Sequence, residues 1–133
     1  FTGQDAFDAL FLDGLEASTS TRPMELVAAA LENAAAFFPD ERRPWSRARH
    51  AVLASNVALQ ERELHKMSGL IEALTSALLA RGVEQTAAAL AAEAGVSVFR
   101  RSFATWIAAG ETRSFADIQR GVLSQLLTLL APT

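Results

Sequence analysis

The sequence contains no cysteine and no tyrosine among its 133 residues. Without cysteine the chain forms no disulfide and offers no thiolate to a metal, as is typical of proteins in a reducing compartment. We therefore expect a cytoplasmic protein. Its best apolar run, residues 123–131, has about half the length of a membrane-spanning helix. This absence predicts that the chain has no membrane partner.

Charge is also scarce, since only 20% of the residues are charged, and 12 basic against 15 acidic residues give a net charge of −3. Such a balance lacks the positive field that holds a polyanion, so we do not expect this chain by itself to bind nucleic acid. Half of the residues are apolar, which predicts one folded domain with a single core. The chain begins at Phe1 without a signal-peptide pattern, which predicts a fragment or processed piece.

The motifs of enzymes and metal proteins are missing as well. There is no Gly-x-Ser-x-Gly motif, and the glycines form no phosphate-binding loop. Glu61 and His65 could share a metal ion, but no further ligand follows at a recognisable spacing. His65 is more simply a surface or pocket-edge residue. We predict no enzyme activity, no catalytic residue, no metal site and no cofactor.

Apolar residues recur at helical spacing along the whole chain, and no segment alternates as a half-buried strand does. The sequence therefore predicts an all-α protein, an antiparallel bundle of about six helices in one domain over residues 1–133. The predicted helices cover about 4–17, 22–37, 41–54, 57–81, 84–109 and 114–130. The predicted start and stop signals are the capping boxes Thr2–Asp5 and Ser114–Asp117, the N-cap Asn56, and the terminal glycines Gly82 and Gly110.

The last two predicted helices carry more apolar surface than packing on one side requires. The fifth helix has a bulky stripe and, beside it, a stripe of small residues that includes Ala91, Gly95, Val98 and Ser102. The sixth has a stripe of Ile118, Val122, Leu126 and Leu129, and beside it one of Leu123, Leu127 and Leu130. We predict that the small stripe and the second leucine stripe form an isologous homodimer interface. The alternative is a monomer that wraps its last helix deeply.

Aromatic residues at helical spacing belong to a core more often than to a ligand site. Phe99, Phe103 and Trp106, together with Met67, could nevertheless line an apolar pocket with few hydrogen-bond donors. His50 is either a polar group of such a pocket or an exposed residue.

Four arginines surround Trp45 within residues 42–49. With one aromatic residue and no interleaving, they make a weak nucleic-acid patch. A solvated helix end, with Arg42 and Arg43 partly balanced by Asp40 and Glu41, is the simpler interpretation.

Residues 40–83 resemble the sixth and seventh helices of TetR/AcrR-family transcriptional regulators. The resemblance is carried by the arginine-rich entry, by the register Leu59, Glu61, Arg62, Glu63, Leu64 and Lys66, and by the closing Arg81, Gly82 and Val83. It is strongest to the actinobacterial branch that includes mycofactocin-type regulators. The family's N-terminal helix-turn-helix is absent from this sequence.

The resemblance implies a C-terminal sensor domain that dimerises through its last two helices and binds a small hydrophobic effector. Pocket roles for Met67, Phe99, Phe103, Trp106 and His50 depend on it in part. It also implies that operator DNA is bound only by the missing N-terminal domain. Some of the arginines near Trp45 could face that domain or its carboxylates. Effector binding would release the DNA, as in a repressor. The alternative is a stand-alone helical dimerisation or protein-interaction module with no small ligand, whose core would hold no cavity.

Overall fold

The computed structural model describes residues 3–132, with side chains from residue 5 onward. Over these residues the protein is all-α, as the sequence predicts, and no strand is present. A short 3-10 turn, Asp40–Arg42, leads into the third helix. The helices are α1 (Gly3–Ala17), α2 (Pro23–Ala35), α3 (Arg43–Ala54), α4 (Val57–Ala80), α5 (Gln85–Trp106) and α6 (Phe115–Leu130). The predicted α5 is too long, because the chain leaves the helix after Trp106 rather than near residue 109.

Side-chain caps fix where three of the helices begin. The Asn56 side chain accepts a hydrogen bond from the Leu59 N–H at 3.1 Å, and the Ser114 hydroxyl accepts one from the Asp117 N–H at 3.1 Å. Both caps are predicted from the sequence. The cap of α5 is not, because it is Glu84, whose carboxylate accepts from the N–H groups of two following residues. The predicted Thr2–Asp5 box lies partly outside the described residues.

Two glycines adopt a left-handed backbone conformation. Gly82, at φ 87°, directly follows the C-cap of α4, whereas Gly110, at φ 82°, lies in a separate turn beyond the end of α5. This conformation suits glycine, which has no Cβ to clash with the preceding turn. The stop at Gly82 is predicted from the sequence, but α5 ends before the glycine that is predicted to stop it. The two turns reverse the chain so that α4, α5 and α6 pack as successive neighbours.

Two other glycines permit close packing around α2. A Cβ at Gly14 of α1 would lie 2.4 Å from the Ala29 carbonyl oxygen, and a Cβ at Gly95 of α5 would lie 2.6 Å from the Val27 side chain. α2 therefore approaches α1 and α5 more closely than any larger residue at these positions allows. It also contacts α6 and forms the centre of the core.

Arg81 joins the end of α4 to the end of α1. Its guanidinium donates to the carbonyl oxygens of Leu15 at 3.0 Å, Ser18 at 2.6 Å and Ser20 at 3.0 Å. The last carbonyls of a helix have no partner within it, and a cation is favoured there by the helix dipole. Arg81 thus fixes how the α1–α2 hairpin is placed against α4.

Candidate functional site

Aromatic rings form one connected cluster at the end of the bundle where α5 finishes. Phe38, in the connection after α2, stacks on Phe115 with centroids 4.8 Å apart. It also contacts Phe99, Phe103 and Trp106 with centroids 5.6 to 6.2 Å away. Such separations are those of favourable offset and edge-to-face pairs. The cluster therefore gathers rings from α5, α6 and the α2–α3 connection.

The structure brings together the predicted aromatic pocket residues. Ring centroids of Phe99 and Phe103 are 6.3 Å apart, and those of Phe103 and Trp106 are 5.9 Å apart. Met67 lies in the same buried core. His50 is exposed on α3 and lies outside the buried cluster. Its role in a pocket stays a prediction.

Sequence reasoning missed Phe38 and Phe115 as members of this site. Neither residue belongs to α5, where the spacing of Phe99, Phe103 and Trp106 suggests a pocket. Phe38 stands before a proline at the end of α2, and such a position does not indicate which way the ring points. The stacked pair becomes visible only when α6 packs beside the α2–α3 connection.

The indole N–H of Trp106 is buried and has no hydrogen-bond acceptor among the described protein atoms. The Arg43 guanidinium lies over the same indole, 5.3 Å from the ring centroid, and its Nε likewise has no acceptor. A buried donor without an acceptor costs about 1–3 kcal/mol. The aromatic cluster therefore contains a donor that an oxygen or nitrogen acceptor of a bound molecule could satisfy.

Two of the four arginines near Trp45 clamp α3 to the chain that follows α5. Arg43 donates to the carbonyl oxygens of Glu111, at 2.8 Å, and of Arg113. Arg47 donates to those of Ile107 and Ala108, both at 3.0 Å. Arg43 is only 8% exposed, so neither a solvated helix end nor a nucleic-acid patch describes it.

The remaining two arginines of that cluster lie at the surface. Arg42 is over the Trp45 ring, 5.3 Å from its centroid, and Arg49 forms an ion pair with Glu63 of α4 at 2.6 Å. α3 buries only Arg43 and Ser46, so polar contacts hold it in place rather than apolar burial.

The α5–α6 connection is ordered by a local ion pair. The Glu111 carboxylate accepts hydrogen bonds from the Arg113 guanidinium, at 2.8 Å and 3.1 Å, and from the backbone N–H of Arg113 and Thr112. These bonds, those from the Arg113 side chain above all, lower the pKa of Glu111 from 4.5 to about 2. The pair holds the carbonyl oxygens that Arg43 uses.

Lys66 of α4 lies over the Phe7 ring, 4.1 Å from its centroid. Burial lowers the pKa of Lys66, and the nearby Glu63 carboxylate opposes that shift. Glu61 and His65, the pair considered for a metal, are both exposed on α4. Over the described residues, no three His, Cys, Asp or Glu side chains come close enough to hold a metal ion.

The small-residue stripe of α5 does not lie on a free surface. Ala91, Gly95, Val98 and Ser102 are all buried within this chain, and Gly95 sits against Val27 of α2. These four residues are therefore covered by the chain itself, which corrects the prediction that they face a partner subunit. The sequence pattern places the small stripe beside the bulky one but does not show that both face inward.

The second leucine stripe of α6 is partly free. Leu127 is 43% exposed and Leu130 66%, whereas Leu123 is half-buried. Leu129, assigned from the sequence to the inner stripe, is 81% exposed. Beside these residues an open groove runs between α5 and α6, lined among others by Ala94, Ser97, Arg101, Val122, Leu126 and Leu129. We call the exposed side chains of Leu127, Leu129 and Leu130, together with this groove, the leucine face.

Comparison with known proteins does not assign the chain to a family: no family model matches it, and no curated protein matches it. None of the helices within residues 3–132 is both long enough and apolar enough to cross a membrane.

Proposed function

We propose that this chain is the effector-sensing and dimerisation domain of a TetR/AcrR-type transcriptional regulator of the cytoplasm. The observation that carries the proposal is the leucine face. Leu127, Leu129 and Leu130 are exposed apolar side chains near the end of α6, and Leu129 lines the groove between α5 and α6. Several large apolar side chains exposed in one region are typical of a protein interface. A second copy of the chain covers the leucine face by packing α5 and α6 as a four-helix unit.

The aromatic cluster supports the sensing role. Phe99, Phe103 and Trp106 present apolar rings, and the Trp106 N–H is the donor in the cluster that has no acceptor. A small apolar molecule with one hydrogen-bond acceptor matches these groups. Its rings or alkyl chain would replace aromatic contacts, and its acceptor would remove the cost of the unsatisfied donor.

A single helix connects the two roles. The side of α5 that carries Phe99 and Trp106 faces the aromatic cluster, and the opposite side, with Ala94 and Ser97, borders the α5–α6 groove. An effector that shifts α5 therefore acts directly on the dimer. Arg43 extends the connection to α3, because it contacts both the Trp106 ring and the α5–α6 connection.

Control of DNA binding follows from the dimer geometry. Helix-turn-helix dimers place their recognition helices about 34 Å apart, in successive turns of the major groove. A change in the angle between subunits alters that spacing. An effector releases the DNA if it binds more tightly to the dimer whose recognition helices no longer match successive major grooves. No residue of this chain is assigned to DNA, and operator contacts belong to a helix-turn-helix domain outside this sequence.

Tryptophan fluorescence tests the sensor role, because the two tryptophans differ in burial. Trp45 is exposed and Trp106 is fully buried in the aromatic cluster. In the variant Trp45→Phe, Trp106 alone reports, and we expect a saturable change with at least one lipophilic compound of a broad panel. The matched variant Trp106→Phe retains only Trp45, and the same compound should leave its emission nearly unchanged. If no compound gives saturation in Trp45→Phe, the sensor role is wrong.

A second candidate, the helical interaction module without a ligand, has an observation in its favour. The rings around Phe38 are in mutual contact. Neither the groove between α5 and α6 nor the one between α1 and α2 is lined by Met67, Phe99, Phe103 or Trp106. This candidate predicts a dimer whose Trp106 fluorescence responds to no small molecule.

A further inference from the structure

The outer side of α5 carries charges in a symmetric arrangement. Leu90, Glu93, Ser97, Arg101 and Ala104 follow one another at spacings of three and four residues, and all of them are exposed. Residues at these spacings share one face of a helix. Glu93 and Arg101 each lie four residues from Ser97, so each is about 6 Å from it along the helix axis. The two opposite charges are thus equidistant from Ser97.

Neither Glu93 nor Arg101 is paired with another side chain of the described part of the protein. Over the described residues, Glu93 and Arg101 form no hydrogen bond or ion pair, whereas Arg113 and Arg120 pair with Glu111 and Glu32. Exposed charges on a helix are often simply solvated, so the lack of a partner for Glu93 and Arg101 does not by itself indicate an interface. Its position does matter, because Arg101 and Ser97 line the α5–α6 groove beside the leucine face.

A twofold axis at Ser97 makes this arrangement self-complementary. If α5 packs against a second copy of itself in the antiparallel direction about Ser97, Glu93 faces the partner's Arg101 and Arg101 faces the partner's Glu93. A parallel arrangement would place each charge opposite its own copy, and like charges at an interface are unfavourable. Among isologous arrangements, the charges therefore favour the antiparallel one.

The apolar residues agree with the same axis. Leu126 of α6 lines the same groove as Ser97, and we therefore place the twofold axis at Leu126 on α6, with α6 antiparallel to the partner's α6. Leu129 then faces the partner's Leu123, which covers a side chain that is 81% exposed in the single chain. The small side chains of Ala94 and Ser97 allow the two α5 helices to approach closely.

We propose that two symmetric ion pairs, Glu93 with Arg101 of the partner subunit, set the register of an antiparallel homodimer centred on Ser97. This inference rests on the dimer of the proposed function and names the residues that determine its pairing. The leucine face supplies the apolar burial. The two ion pairs select an identical chain in one register over other apolar surfaces.

Charge reversal with matched controls tests the ion pairs. Glu93→Arg and Arg101→Glu each convert two attractive contacts into two repulsive ones, and we expect each to raise the dimer Kd about tenfold or more at low salt. Arg100→Glu is the control, because it reverses the charge of an exposed residue next to Arg101. In the proposed register Arg100 faces the partner's Ala94, so the reversal should raise the dimer Kd several-fold less. The double variant, with both Glu93→Arg and Arg101→Glu, should regain a Kd close to that of the unaltered chain, which excludes misfolding as the cause. Analytical ultracentrifugation over a dilution series measures these constants.

Mixing the two single variants gives a second, independent readout. A heterodimer of Glu93→Arg with Arg101→Glu contains two attractive pairs, so native mass spectrometry of an equimolar mixture should show more heterodimer than the statistical half. A statistical mixture, or reversals no more harmful than Arg100→Glu, overturns the ion-pair register while the dimer stands. An unaltered chain that stays monomeric overturns both the register and the proposed dimer, and leaves the fluorescence test of sensing unaffected.

Discussion

At the scale of single residues, three arginines satisfy carbonyl oxygens near helix ends rather than present their charge to solvent. Arg43, Arg47 and Arg81 each donate to carbonyl oxygens at or just beyond helix ends. The rigid fork of donors on a guanidinium suits this task better than an ammonium group does. The residues involved are at least 60 positions apart in the chain, so the sequence pattern shows an arginine cluster but not its partners.

Removal of the Arg43 side chain should be costly, since it removes the hydrogen bonds to the carbonyl oxygens of Glu111 and Arg113 and uncovers the Trp106 ring. We expect Arg43→Ala to lower the free energy of unfolding by about 2 kcal/mol. Arg62→Ala, at an exposed position of α4, should change it by less than about 0.5 kcal/mol. Urea unfolding of both variants at one chain concentration measures the two free energies of unfolding. Equal stability of the two variants would show that the Arg43 clamp contributes nothing.

The Glu111–Arg113 pair should make stability depend on acid pH. The pKa of Glu111 in the folded chain, about 2, is below its ordinary value of 4.5. Its contribution is therefore fully present above pH 4.5 and is lost as the pH falls from 4.5 towards 2. Glu111→Gln should flatten the decline of Tm over that range. Arg113→Ala, which removes the main cause of the shift, should flatten it similarly. An unchanged decline in both variants would contradict this role of the pair.

At the scale of helices, the sequence is most informative where local chemistry decides. Asn56, Ser114 and Gly82 mark helix ends correctly because caps and left-handed glycines act within one turn. It is harder to tell from the sequence which of two neighbouring faces of one helix is buried and which is free. The small stripe of α5 suggests a free face, but Gly95 lies against α2 because three helices surround α5 in the fold. That distinction depends on tertiary packing, which periodicity alone does not contain.

Close packing of α1 on α2 depends on the glycine at position 14. A methyl group there would meet the backbone oxygen of Ala29, which cannot turn aside as a side chain does. We expect Gly14→Ala to destabilise the protein by about 1–3 kcal/mol. Gly121→Ala is the matched control, since a Cβ there meets nothing within 4 Å, and it should stabilise by about 0.5–1 kcal/mol through helix propensity. Calorimetry should show Tm changes of opposite sign, and a neutral Gly14→Ala would contradict the close approach.

At the scale of the whole molecule, the aromatic cluster and the leucine face lie on opposite sides of α5. The sequence predicts the stripe of α6 that carries Leu127 and Leu130, and it identifies three of the clustered rings on α5. It does not reveal that Leu129 is exposed, or that Phe38 completes the cluster. Both facts depend on how the helices pack against one another.

Native mass spectrometry of the purified chain tests the central claim, a ligand-sensing homodimer, most directly. We expect the mass of two chains, with added mass when a compound that saturates Trp106 fluorescence is present. Leu127→Arg places a charge on the leucine face and should shift the protein to monomers. Leu64→Arg, at an exposed position of α4, should leave the protein dimeric. An unaltered chain that remains monomeric at micromolar concentration would contradict the account.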